Sequence, residues 1–139
     1  MSRLRTAAAL VFVLATPVMA QEVQPALDLE LNALQTTAAG CRITFLATNR
    51  LGAPLDRAAV ETALFDADGA IDRIVTLDFK GLSGGKTKVL QFELAGLACD
   101  GISRVLINDI AACEGVGLAA TACLEHLTTT TRPSVSFGL

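Results

Sequence analysis

The stretch Val60–Phe79, VETALFDADGAIDRIVTLDF, constrains the fold more than any other part of the chain. It reads as two extended arms joined at Asp68-Gly69. The first arm, Val60–Asp66, is rich in β-branched and apolar residues. Asp-Gly is a strong hairpin signal, because both residues tolerate the positive φ of a type I′ turn. In the second arm Arg73, Val75, Leu77 and Phe79 alternate with Asp72, Ile74, Thr76 and Asp78. A period of two means a strand with one buried face.

The same period recurs along the chain. In Ala26–Leu34 the residues Leu27, Leu29, Leu31 and Ala33 share one face, opposite Asp28, Glu30 and Asn32. Ile43, Phe45 and Ala47 do so in Arg42–Thr48, and Leu90, Phe92 and Leu94 in Thr87–Leu94. Ile102–Ile110 is apolar on both faces, as a central strand of two packed layers is. Turn formers separate these runs at 36–40, 49–54, 81–85 and 96–101. Leu127–Thr131 and Ser134–Phe137 favour extended structure, and Pro133 confines that segment to an edge or a bend. From about residue 111 the chain is loop-rich, with one short helical turn expected near Glu114–Ala122. The pattern predicts an all-β, antiparallel, immunoglobulin-like β-sandwich of six to seven strands.

Residues 1–20 do not belong to that fold. Arg3 and Arg5 form a basic start, Ala7–Ala15 an apolar run too short to span a bilayer, and Val18-Met19-Ala20 a small-residue exit. These are the parts of a secretory signal peptide cleaved after Ala20, leaving residues 21–139 as one domain. Both lost charges are arginines, so 11 − 2 = 9 basic residues face 14 acidic ones and the net charge becomes −5. A mildly acidic chain without Trp or Tyr is a poor match for nucleic acid or an anionic membrane surface. No later apolar run reaches membrane-spanning length.

Cys41, Cys99, Cys113 and Cys123 all lie in the exported part, and an even count there reads as two disulfides. If strands alternate in direction, Cys41, before the second strand, and Cys99, after the fifth, share one end of the sandwich. Cys113 and Cys123 share the other. The expected pairs are therefore Cys41–Cys99 and Cys113–Cys123.

The run Asn49-Arg50-Leu51-Gly52, the arm ending Leu64-Phe65-Asp66 and the following Asp68-Gly69 resemble exported bacterial immunoglobulin-like domains of the FxLYD type. The resemblance covers Arg42 to Ile110. It departs at Thr62, where the family has Phe, and at Phe65, where it has Tyr. It implies a sandwich and an envelope location and brings no catalytic residues.

Chemistry can be weighed residue by residue. A Ser-His-Asp system would need His126, the single histidine, with Ser83, Ser103, Ser134 or Ser136. None of these serines sits in a G-x-S-x-G elbow. Disulfide pairing consumes the thiols that cysteine catalysis requires. Gly81–Gly85 followed by Lys86-Thr87 resembles the end of a phosphate loop, but the spacing is one residue short and a strand, not a helix, follows. Asp66 and Asp68 mimic part of a calcium loop whose first and last ligand positions fall on Leu64 and Val75. Cys123 and His126 lack the further ligands zinc requires.

No catalytic residue, cofactor or metal is expected. The chain reads as a non-catalytic exported module that contacts another envelope protein through the edge Leu127–Phe137 or the adjoining loops. The alternative is a small periplasmic enzyme or ligand carrier, which a concave apolar pocket with converging polar groups would favour. N-terminal sequencing of the exported protein is expected to begin at Gln21; a mature chain that retains Met1 refutes the leader.

Overall fold

A computed structural model describes residues 15–139; Arg3, Arg5 and the apolar run through residue 14 lie outside the described residues. Residues 15–25 carry no strand or helix and are exposed throughout. The strands are β1 (Ala26–Thr36), β2 (Gly40–Arg50), β3 (Leu55–Phe65), β4 (Ile71–Leu82), β5 (Thr87–Ala95), β6 (Arg104–Glu114), β7 (Leu127–Thr131) and β8 (Ser136–Gly138). A 3₁₀ turn, Cys99–Gly101, precedes β6, and a four-residue helix, α1 (Ala122–Glu125), precedes β7. The first sheet runs β5-β2-β1-β7 and the second β4-β3-β6-β8. Their inner faces pack together as the expected sandwich, with eight strands rather than six or seven. β6 extends to Glu114, so the irregular segment starts later than residue 111.

The antiparallel expectation holds for β1 to β6 and fails at the C-terminus. β7 runs parallel to β1, and β8 parallel to β6. The connection after β6 carries the chain across the end of the sandwich to the far edge of the first sheet. Residues 132–135 then bend it over to the second sheet. One edge segment is thus divided between the two sheets, with Pro133 in the bend as expected.

Bulges also alter the simple alternation. Register shifts between Leu31 and Ala33 make Asn32 the extra residue of β1. Leu34 therefore packs against the core, correcting the assignment of Ala33 to that face. The hairpin between β3 and β4 is not a two-residue type I′ turn. Asp66 N–H donates to Ala70 O (2.8 Å) and Gly69 N–H to Asp66 O (3.1 Å), enclosing a three-residue loop 67–69. Only Gly69 has positive φ there, at 82°. That is a type I turn closed by a left-handed glycine, which suits the twist of the flanking strands as well as type I′ does.

The core is aromatic at its centre. Phe45 of β2 lies 5.7 Å from Phe79 of β4, 6.0 Å from Phe92 of β5 and 5.3 Å from Phe137 of β8 between ring centroids. One ring thus touches both sheets and the C-terminal strand. Phe45 and Phe79 are almost wholly buried, and each such side chain contributes about 1.5–3 kcal/mol by leaving water.

The disulfides pair as expected, Cys41–Cys99 and Cys113–Cys123. With separations of 58 and 10 residues, loop-entropy arguments assign them about 4 and 3 kcal/mol. The first ties β2 to the turn before β6. The second anchors α1 to β6 four residues before β7 begins.

Asn49, at 0% exposure, is the most enclosed polar side chain together with Thr62. Its Nδ2 donates to Ala53 O (2.8 Å) and Leu82 O (3.0 Å), and its Oδ1 accepts from Leu51 N–H (3.0 Å). Its main-chain oxygen accepts from Gly85 N–H at 2.7 Å. Asn49→Ala leaves one donor and two acceptors without partners in a dry site. Urea unfolding is expected to show a loss of about 2–4 kcal/mol; a loss below about 0.5 kcal/mol, the size of an ordinary surface change, contradicts this role.

Candidate functional site

The residues with chemical potential in the sequence are dispersed or already engaged. All four thiols are in disulfides, and Cys41 and Cys123 are fully buried. His126 caps the end of α1 half-buried, and its carbonyl accepts from Leu27 N–H at 2.9 Å. Strand directions put Ser103, Ser134 and Ser136 at the opposite end of the sandwich. Ser83 shares the end of His126 but lies at the β4–β5 edge, about 14 Å away across three strand spacings. Ser103 Oγ donates to the carbonyl of Asp66. The structure brings no Ser–His pair together among the described residues.

The glycine-rich run divides between two elements. Gly81 and Leu82 finish β4, and the chain turns at 83–86 directly into β5. Gly85 N–H is spent on Asn49 O and Lys86 N–H points to Ser83 O, so neither is aimed at an anion. Lys88 Nζ instead donates to Phe79 O (3.1 Å) and Gly81 O (3.2 Å) of β4. Asp66 has an equally local task, its Oδ1 accepting from Asp68 N–H and Ala70 N–H at 2.9 Å each. Those bonds hold the hairpin turn, as an Asx-turn does. No group of three or more His, Cys, Asp or Glu arranged for a metal occurs among the described residues.

A concavity lies on the outer face of the first sheet, a trough of about 380 Å³ lined by Asp28, Glu30, Leu46, Thr48, Thr87, Thr128 and Thr130 among others. Outward positions of β1, β2, β5 and β7 meet there because paired residues share a face. Arg50 grips Asp28 with two bonds (Nε 2.6 Å, Nη2 3.0 Å), and Thr128 Oγ1 donates to the same carboxylate. Glu30 accepts from Asn32 (2.7 Å) and Arg132 (2.8 Å). Across the sheet Thr48 and Thr87 share a hydrogen bond (2.7 Å), Gln91 donates to Thr44 (3.1 Å), and Arg42 pairs with Glu93 (2.7 Å).

Both trough acids are held below the ordinary carboxylate range. For Asp28 the hydrogen bond from Arg50 dominates, with Thr128 assisting against a partial burial that works the other way. For Glu30 the Asn32 amide leads, followed by Arg132. Acid–base chemistry by two carboxyls needs one pKa pushed up so that it holds a proton at working pH. Here both are pushed down. The trough works as a clamp that fastens β7 to β1 through side chains as well as through the ladder.

The sequence offered only the acids Asp28 and Glu30 at i, i+2 as a hint of this cluster. Their partners on the C-terminal segment lie 100 and 102 residues further on. No short-range signal could find them. Comparison with protein-family models, curated proteins and solved structures finds no match.

The clamp generates an acid-sensitivity with a definite sign. A depressed folded-state pKa means stability that is complete above the unfolded carboxylate range and is lost as pH falls through the folded values. Hydrogen exchange is expected to show Thr128–Thr131 losing protection below about pH 4 before the core strands do. Asp28→Asn with Glu30→Gln should make exchange in this strand nearly independent of pH over that window, apart from the intrinsic rate. Protection of β7 that persists unchanged through pH 3 in the native sequence contradicts the clamp.

Proposed function

We propose that the protein is a non-catalytic module of the periplasm or another oxidising extracytoplasmic space, where it contacts another envelope protein. The observation that carries this reading is the commitment of its reactive groups to structure. The thiols are bridged, Asp28 is engaged by Arg50 and Glu30 by Asn32 and Arg132, and the serines stand away from His126. Two disulfides are what an oxidising compartment maintains. Among the described residues no helix is long and apolar enough to cross a membrane. The exposed segment 15–25 leaves the bond after Ala20 accessible to a signal peptidase.

The contact surface in this reading is the C-terminal edge. β7 borders the first sheet with Thr128 and Thr130 exposed, and the bend 132–135 with Ser134 projects between the sheets. Thr130 and Ser134 offer hydroxyls beside a short free strand edge, a surface suited to polar, selective contact.

Photo-crosslinking in the envelope from Thr130 or Ser134 is expected to capture the same protein reproducibly, with no capture from Asp68 on the hairpin turn. Hydrolase screens on the purified protein should remain blank. Reproducible turnover abolished by His126→Ala, in a variant that keeps its melting temperature, overturns the non-catalytic reading.

A further inference from the structure

The outer face of the second sheet differs from that of the first in carrying charge it does not compensate. Register defines three rows across it. The first contains Ile71, Phe65, Arg104 and Ser136; the second Ile74, Ala63, Leu106 and Gly138; the third Thr76, Glu61 and Asp109. Two bulges build this arrangement. Asp72 is an extra residue opposite the Leu64/Phe65 step, which turns Ile71 outward beside Phe65. Asn108 is extra opposite the Glu61/Thr62 step, which sets Asp109 directly across from Glu61.

Ile71 and Ile74 are 55% and 54% exposed, Leu106 and Gly138 are half-buried, and Ala63 between Ile74 and Leu106 is already covered. Arg104 lies over the Phe65 ring at 5.5 Å and, among the described residues, meets no carboxylate. Glu61 and Asp109 have no ion-pair partner among the described residues either. Glu61 accepts from Asn108 (2.6 Å) and Asp109 from Ile110 N–H (2.8 Å). Like charges placed directly opposite on neighbouring strands are unfavourable. Cation, apolar row and acids therefore follow one another down the sheet, each charge outside any ion pair among the described residues.

We propose that this face pairs with the same face of a second copy of the chain, about a two-fold axis running along the middle row. That rotation reverses the strands and exchanges the first and third rows. Ile74 and Leu106 then meet their own equivalents, and Arg104 of each copy meets the partner's Asp109. The pattern is self-complementary, which an isologous interface requires. It relieves the Glu61–Asp109 repulsion twice and covers the exposed isoleucines. Four strands by three rows is roughly 14 Å by 14 Å, about 200 Å² per copy and well under a standard interface, so the pairing is weak and reversible.

Sedimentation velocity of the mature protein across a concentration series is expected to show a monomer–dimer equilibrium that weakens with salt. Leu106→Glu should abolish the dimer, and Arg104→Asp should weaken it by roughly tenfold or more, two charge contacts being lost at once. The exchange Arg104→Asp with Asp109→Arg restores self-complementarity and should recover the dimer. Ile74→Cys, lying on the axis, should give a disulfide between copies. A protein that stays monomeric to about millimolar concentration overturns the proposal. So does a dimer that ignores Arg104→Asp in a variant with native circular dichroism.

Discussion

The side-chain amide of Asn49 holds two of the three crossings between the sheets at one end of the sandwich. The chain leaves the first sheet for the second over residues 51–54 and returns over 83–86. Asn49 ends β2 just before the first crossing and bonds Leu51 and Ala53 within it. It also bonds Leu82 at the start of the second crossing, and its backbone oxygen receives Gly85. Two donors and one acceptor are needed on a single short side chain in a dry site. Aspartate lacks the donors, leucine lacks every polar atom, and glutamine places its amide one bond too far out. The spacing of the sheets, the turn into β5 and the packing of Phe45 against Phe79 all follow from crossings held at that separation.

Much of the sandwich was legible because alternation survives over bulge-free runs. Ile43, Phe45 and Ala47 face the core as their spacing indicates, as do Leu77 and Phe79. Strand parity also gave both disulfide pairs, since cysteines beside strand ends inherit the end at which the chain turns. Legibility stops where one inserted residue changes the phase. Asn32, Asp72 and Asn108 each fit an uninterrupted alternating strand, and only pairing with a neighbour shows that they are extra. The parallel direction of β7 and β8 was equally hidden. It is set by the route of residues 115–126 around a disulfide, and five- and three-residue strands carry too little pattern to announce it. Asn49 was readable as a turn former and not as a buried hub, because burial depends on Leu82 and Gly85, more than thirty residues away.

The edges of the two sheets are closed by long-range devices as well. At the β4–β5 side, Lys88 reaches from the first sheet to the carbonyls of Phe79 and Gly81. Arg73 reaches back from the second sheet to Ala95 O at 2.7 Å. These are cations pointing into the seam of an edge strand, which discourages another chain from adding there. Lys80, with φ of 61°, distorts the end of β4 further. On the opposite side the edge segment is divided, leaving each sheet a strand too short to template a long partner. Those cations and the shortness of β7 and β8 discourage strand addition, which favours contact through faces, bends and short polar edges.

The two faces then differ in what a ligand would have to displace. On the first sheet every charge in the trough already has a partner: Arg50 with Asp28, Arg132 with Glu30, Arg42 with Glu93. A charged ligand there must break contacts equivalent to those it makes, and the net return is small. On the second sheet Arg104, Glu61 and Asp109 have only solvent, an aromatic ring or neutral donors beside them. A new ion pair at that face breaks no existing ion pair among the described residues and relieves a repulsion already present. Individual exposed pairs contribute about 0–1 kcal/mol, so charge there sets orientation more than affinity, and the apolar middle row supplies the attraction. The face that carries Arg104, Glu61 and Asp109 outside any ion pair among the described residues is, for that reason, the face better equipped to make external ones.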